Sequence, residues 1–210
     1  MKNGQSPCST VCSSQPNVTN LLTRIKHCPQ CGTGVENKIP SGDTLHRAVC
    51  PACQTIHYEN PKIVAGCIPE WENKILLCRR AIEPRLGLWT IPAGFMELGE
   101  STEEAAVRET LEEANADVRI HTLFGLFSLP HVSQVYVVYR AHLLNLNYKP
   151  GPESLEVQLV SLTDIPWAQL AFPVIHESLS RYVQDVQTAR SNTHSAVVPP
   201  QKHRSSPSSS

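Results

Sequence analysis

No apolar run in this chain approaches the roughly 18–20 residues that a membrane span needs. The N-terminus also lacks the apolar core of a signal peptide. There is little charge imbalance: the formal net charge is −1, which gives no global attraction to nucleic acid or to an anionic membrane. Residues 1–27 contain no acidic side chain at all and several Ser and Thr. That composition is faintly like an organelle transit segment, but it is not strongly Arg-rich, and a flexible cytoplasmic arm is the reading preferred. Without export most cysteines stay reduced, so paired Cys motifs favour metal over disulfides.

Length allows one ordinary domain plus a small satellite in the 210 residues, and a composition 40% hydrophobic makes a packed core feasible. Four segments are expected: a loose polar arm over 1–26, a Cys-rich unit over 27–58, a main domain over 59–188, and a Ser/Pro/His-rich tail over 189–210 that reads as disordered. Within the main domain, Lys62–Pro69 and Lys74–Cys78 read as strands around a turn at Glu72-Asn73. A helix is expected over about Thr102–Ala114, capped by Ser101 or Thr102. Further strands are expected over Ile120–Phe127, Gln134–Leu144 and Glu156–Ser161. Pro173 opens a last helix with Ile175, Leu179, Tyr182, Val183 and Val186 on one stripe. Alternating strands and helices predict an α/β sandwich with a mixed sheet.

Local charge is more telling than net charge. Between Gly94 and Glu113 stand seven carboxylates and the lone Arg108. Glu109, Glu112 and Glu113 fall at i, i+3 and i+4, on one helical face, where like charges cost about 0.2–0.5 kcal/mol per pair. A divalent cation turns that repulsion into a ligand set, and hard cations such as Mg²⁺ also take substrate phosphates. The bland alternative, a solvated acidic helix, explains the charge but not the spacing of Gly94, Glu100 and Arg108.

Two pairs, Cys28-x2-Cys31 and Cys50-x2-Cys53, lie eighteen residues apart, the spacing of a four-thiolate zinc ribbon. Four thiolates fill the coordination sphere, so such a zinc is structural. Two disulfides or a vestigial site are the alternatives. Cys8, Cys12, Cys67 and Cys78 lack the paired spacing, and Cys67 and Cys78 sit in strand patterns as small core residues.

The acidic segment resembles the Nudix signature Gly-x5-Glu-x7-Arg-Glu-U-x-Glu-Glu-x-Gly-U, where U is bulky and apolar, at Gly94, Glu100, Arg108, Glu109, Glu112 and Glu113. The likeness covers residues 62–187 and implies a Nudix α/β/α sandwich preceded by the ribbon. It departs at Thr110, at Asn115 in place of the closing glycine, and at Ala116. Asn is the residue that best tolerates left-handed geometry after Gly. The resemblance implies that Glu109, Glu112, Glu113 and the Ala93 carbonyl hold Mg²⁺ or Mn²⁺, with Glu100 as auxiliary ligand or architectural support. Arg108 orients the carboxylates. Glu153 or Glu156, with Glu153 preferred, serves as general base. Arg79, Arg80 and Arg85 are candidates for a substrate phosphate, with plain surface charge as the alternative. Phe95, Tyr136 and Trp89 are candidates for base stacking, although core packing is the stronger reading for Trp89. Trp167 and Phe172 are expected to anchor the last helix.

A ribbon followed by such a domain is similar to two groups, the NADH pyrophosphatases and the ADP-ribose/FAD pyrophosphatase-like group. The Ser-Gln-Pro-Trp-Pro-Phe-Pro stretch of the first is absent, and Glu153-Ser and Ile165-Pro-Trp-Ala-Gln-Leu-Ala-Phe-Pro173 suit the second. The expected activity is hydrolysis of FAD, ADP-ribose or NADH to AMP and a phosphorylated fragment. The rivals are a nucleotide-sensing or nucleic-acid-binding ribbon regulator, against which charge and the Glu112-Glu113 pair both speak, and a nucleoside triphosphate pyrophosphatase. A homodimer is the default state by resemblance.

Overall fold

The computed structural model describes residues 24–200. Cys8, Cys12, most of the expected arm and the last ten residues of the expected tail lie outside the described residues. The chain divides into two compact units between Asn60 and Pro61.

The first unit is a three-stranded antiparallel sheet of β1 (Glu36–Lys38), β2 (Arg47–Val49) and β3 (Ile56–His57). Its two Cys-x2-Cys turns are equivalent. Cys28 accepts from the Gly32 N–H and donates to the Thr33 carbonyl, and Cys50 does the same with Gln54 and Thr55. The residue after each pair is left-handed, with φ 74° at Gly32 and 59° at Gln54.

The second unit is built on β4 (Lys62–Trp71), β5 (Lys74–Arg80), β6 (Trp89–Thr90), β7 (Ala93–Phe95), β8 (Val118–Leu129), β9 (Gln134–Leu143), β10 (Ser154–Ser161) and β11 (His194–Val197). The helices are α1 (Thr102–Ala114) and α2 (Pro173–Thr188). The sheet runs β10-β5-β4-β9-β8-β11, with β6 beside β5 and β7 beside β4. It is mixed: β4–β9 and β8–β11 are parallel, and the other pairs are antiparallel.

Both faces of this sheet are covered. Ile75, Leu76, Leu77 and Cys78 on β5 are all buried, the unbroken apolar run of a strand with a layer on either side. Ile68, Ile75, Leu77 and Val138 pack with Ile175, Leu179 and Tyr182 of α2. Ala65, Cys67, Leu76, Cys78 and Tyr139 pack with Ala105, Ala106 and Ala114 of α1. One helix per face gives the expected α/β/α sandwich. Cys67 and Cys78 take the core places read for them.

Two expectations need correction. Val186 is 41% exposed, whereas Ser178 and Asp185 are buried on α2. The 3.6-residue pitch carries the buried stripe to Asp185, whose carboxylate has a partner beyond the helix. The tail is not disordered throughout: His194–Val197 is a strand on the edge of the sheet, paired with β8 from Gly125 to Ser128. Composition hid it, because the free edge of β8 supplies the pairing that a short polar segment cannot supply alone. Among the described residues no helix is long and apolar enough to cross a membrane.

Candidate active site

α1 is built to present acids on one side and small residues on the other. Ser101 caps it: its side chain accepts from the Glu104 N–H, and the Glu104 carboxylate accepts from the Ser101 N–H at 2.7 Å, a reciprocal capping box. Ala105, Ala106, Thr110 and Ala114 are the buried face. Thr110, which replaces an apolar residue in the pattern, donates its hydroxyl to the Ala106 carbonyl at 2.7 Å and so is satisfied inside the core. The helix ends at Asn115 in the left-handed conformation, φ 45°. Asn115 adds what glycine could not: its amide donates to the carbonyls of Lys149 and Pro150 at 3.1 and 3.3 Å.

Those bonds dock the segment before β10 onto the end of α1. The Gly151 N–H donates to the Glu113 carbonyl at 3.0 Å, and a Cβ on Gly151 would stand 1.7 Å from the Glu112 carbonyl oxygen. Only a glycine lets the loop sit so close, and Glu153 follows two residues later beside the acidic face.

The opposite side of the box is β7. Gly94 lies against Glu109, where a Cβ would stand 2.3 Å from the carboxylate. The Ala93 N–H donates to Glu113 at 3.3 Å. Glu113 is only 7% exposed, and burial, reinforced by the charge of Glu109, pushes its carboxyl up to about 8. Burial also raises Glu109. A buried carboxylate beside others is costly without a counter-charge.

Arg108 organises the cluster. It donates to both oxygens of Glu100 at 3.0 and 2.7 Å, to Glu109 at 2.7 Å, to Glu112 at 3.1 Å and to the Phe95 carbonyl at 3.1 Å. These five acceptors match the five N–H groups of a guanidinium. Nothing is left over for a substrate, so Arg108 orients the carboxylates. Glu100, held by Arg108, sits down at about 2 and also accepts from the Glu97 N–H.

Glu109, Glu112, Glu113 and Glu153 line one cleft of about 1160 Å³, together with Ala93, Phe95, Arg108 and Arg80. The donor set is all oxygen and carries excess negative charge, which fits hard divalent cations and not soft ones. Arg80 stands with its guanidinium 5.2 Å from the centre of the Phe172 ring, a cation–π contact, while Nε donates to the Pro84 carbonyl at 2.9 Å. Tyr136 and Arg85 line the same cleft. Four candidates lie elsewhere. Arg79 donates to the Gly87 carbonyl and pairs with Glu156 at 3.6 Å, and neither is a lining residue. Glu100 stands behind Arg108. Trp89 is in the core, 8% exposed. Phe172 starts α2 as expected but also faces the cleft, and His131, Val132 and Pro200 line it without any local signal in the sequence.

In the first unit the four sulfurs of Cys28, Cys31, Cys50 and Cys53 lie within 4.8 Å of one another, with separations of 3.4, 3.6 and 3.7 Å. Tetrahedral Zn–S bonds of about 2.3 Å place sulfurs about 3.8 Å apart. All four are free thiols, not disulfides. The Thr55 hydroxyl at 3.1 Å holds Cys53 down at about 6, favouring its thiolate, whereas desolvation and the neighbouring Cys31 and Cys53 thiols push Cys50 up to about 11.

Comparison with known proteins agrees with both units. Residues 26–59 match the zinc-ribbon family described as Nudix N-terminal, and residues 60–182 match the NUDIX domain. The chain is 34% identical over 128 residues to an ADP-ribose pyrophosphatase of Methanocaldococcus jannaschii, covering 58% of this chain and 72% of that protein. It is 28% identical over 173 residues to the NAD-capped RNA hydrolase NudC of Vibrio atlanticus, covering 81% of this chain but 62% of that one. A crystal structure of a NUDIX hydrolase from Nitrosomonas europaea superposes with a TM-score of 0.81 at 54% identity, covering 84% of this chain and all of that one. With a NUDIX match over more than half its length, and Glu109, Glu112 and Glu113 of that signature gathered in one cleft, the chain belongs to the Nudix hydrolases.

Proposed function

We propose that this enzyme hydrolyses the diphosphate of a nucleoside diphosphate joined to a second moiety, of the FAD, ADP-ribose or NADH class, releasing AMP and a phosphorylated fragment. The observation that carries this reading is one cleft with acids at one wall and Arg80 stacked on Phe172 at another. Its volume exceeds the ~300–1,000 Å³ of most small-molecule sites, room for both halves of a dinucleotide. ADP-ribose and NAD, in the names of the two relatives, share that diphosphate chemistry.

Glu109, Glu112 and Glu113, with the Ala93 carbonyl, would hold Mg²⁺ or Mn²⁺, and Glu100, bound through both oxygens to Arg108, supports them from behind. Such ions polarise phosphate oxygens, acidify a bound water and neutralise the leaving phosphate. The protein's own part is positional and electrostatic. Arg108 keeps the carboxylates aimed, and Arg80 sets a positive charge in the cleft for the diphosphate. Glu153, docked by Gly151, takes the proton of the attacking water. The water oxygen forms a new P–O bond, and the bridging P–O bond breaks. Each product leaves as a phosphate monoester. The four cysteines hold a structural zinc.

Purified protein with Mg²⁺ should turn over at least one of FAD, ADP-ribose and NADH faster than nucleoside triphosphates, and Glu112→Gln should cut that rate by about a hundredfold or more. The same preparation should carry one zinc per chain by elemental analysis. Turnover of triphosphates alone would reassign the substrate class, and a folded, zinc-free chain would remove the ribbon's metal.

A further inference from the structure

The matched NUDIX span ends at Tyr182, yet the chain goes on shaping the cleft. After α2, Ala189 takes a left-handed turn (φ 51°), and the Arg190 N–H returns to the Asp185 carbonyl at 2.9 Å. β11 then lies against β8. The Val198 N–H donates to the Ser128 carbonyl at 2.9 Å, and Ala196 and Val198 pack on the core beneath α2. β8 has a seat prepared for it: a Cβ at Gly125 would stand 3.1 Å from the His194 carbonyl oxygen and 2.9 Å from the Phe127 ring.

A latch fixes the strand. His194 donates from Nε2 to the buried Asp185 carboxylate at 2.8 Å, and its ring lies 4.9 Å from that of Phe124. The side chains are 13% and 6% exposed. Because β11 is parallel to β8, it leaves the sheet at the same end, where β8 gives way to His131 and Val132. Pro200 arrives there as a lining residue beside Leu129 and Val132. The Leu129, Val132 and Pro200 side chains offer an apolar contact that suits the face of a ring, with His131 and Gln134 the polar lining residues of the same connection.

We propose that Pro200, carried to the cleft by residues 189–199 and positioned by the His194–Asp185 pair, completes an apolar specificity wall with Leu129 and Val132 that favours diphosphate-linked nucleotides whose second moiety is a flat ring system. The proposal rests on the hydrolase reading for its substrate class, so its test reads binding. FAD and ADP-ribose are titrated by calorimetry with Ca²⁺ in place of Mg²⁺ into the full chain, a chain ending at Arg190, His194→Ala and His194→Gln. FAD affinity should fall by about tenfold in the shortened chain and in His194→Ala, the scale of one lost apolar contact. ADP-ribose affinity should move by less than about twofold. His194→Gln keeps an N–H at the Nε2 position and should recover most of the FAD affinity. Equal losses for both ligands, no loss, or no binding of either overturns the wall. If the shortened chain fails to fold, the His194 pair decides alone. Absence of turnover with Mg²⁺ would sink the hydrolase reading while leaving this comparison standing.

Discussion

A single methyl group tests the acidic cluster most sharply. At Gly94 an added Cβ would stand 2.3 Å from the Glu109 carboxylate, and that carboxylate is tied to Arg108 at 2.7 Å. The side chain can move away only by giving up the bond that aims it. Gly94→Ala should therefore lower kcat/KM by about a hundredfold, the usual penalty for a misplacement near 1 Å, while the melting temperature changes little. Wild-type kinetics in that variant would show that Glu109 needs no fixed place. The residues of the box were readable from sequence because each relation in it is local: i, i+3 and i+4 on one helix, and a glycine a fixed distance before it. The preference for Glu153 over Glu156 had a weaker basis. What separates the two is Gly151 packed on the Glu112 carbonyl, a contact between segments nearly forty residues apart.

At the scale of elements, α1 shows how far local chemistry reaches. The cap, the acidic first turn and the left-handed end at Asn115 are all properties of neighbouring residues, and the expected bounds Thr102–Ala114 are the observed ones. Ser101→Ala removes the hydrogen bond to Glu104 and should cost about 1 kcal/mol. In a domain of this size that lowers Tm by about 2–4 °C, measurable by thermal melting. An unchanged Tm would mean that packing against the sheet alone holds the first turn. β11 is the opposite case. Four residues of mixed character, one valine short of two prolines, carry no strand signal, and their conformation comes from the open edge of β8 and from Asp185. Phe172, His131 and Pro200 enter the cleft for the same kind of reason: strand order brings them there, and strand order is not written in any one segment.

For the molecule as a whole, the buried Glu113 couples the acid cluster to stability. Its carboxyl sits up at about 8 in the folded protein, against about 4.3 in an unfolded chain. In the metal-free fold Glu113 keeps a proton that the unfolded chain releases, so its contribution to stability is full below about pH 4.3 and is lost as pH rises through about 8. A divalent cation replaces that proton and is held best where the carboxylate is already ionised. The rise in Tm on adding Mg²⁺ should therefore grow from pH 6 to pH 8.5, and a rise independent of pH would remove Glu113 from the ligand set.

The parallel pairing of β4 with β9 has a further consequence. From Lys62 with Gln134 to Glu70 with His142, every pair joins residues 72 positions apart, and the loop they close contains β7, α1 and the whole acidic box. Closing so long a loop is slow, and its entropy must be overcome before the contacts return it. The centre of the sheet and the acidic cluster are thus expected to form together. In a refolding experiment hydrolytic activity should therefore return on the same time course as the tertiary signal of the core, and activity that returned earlier would show that the acids can be placed without β9.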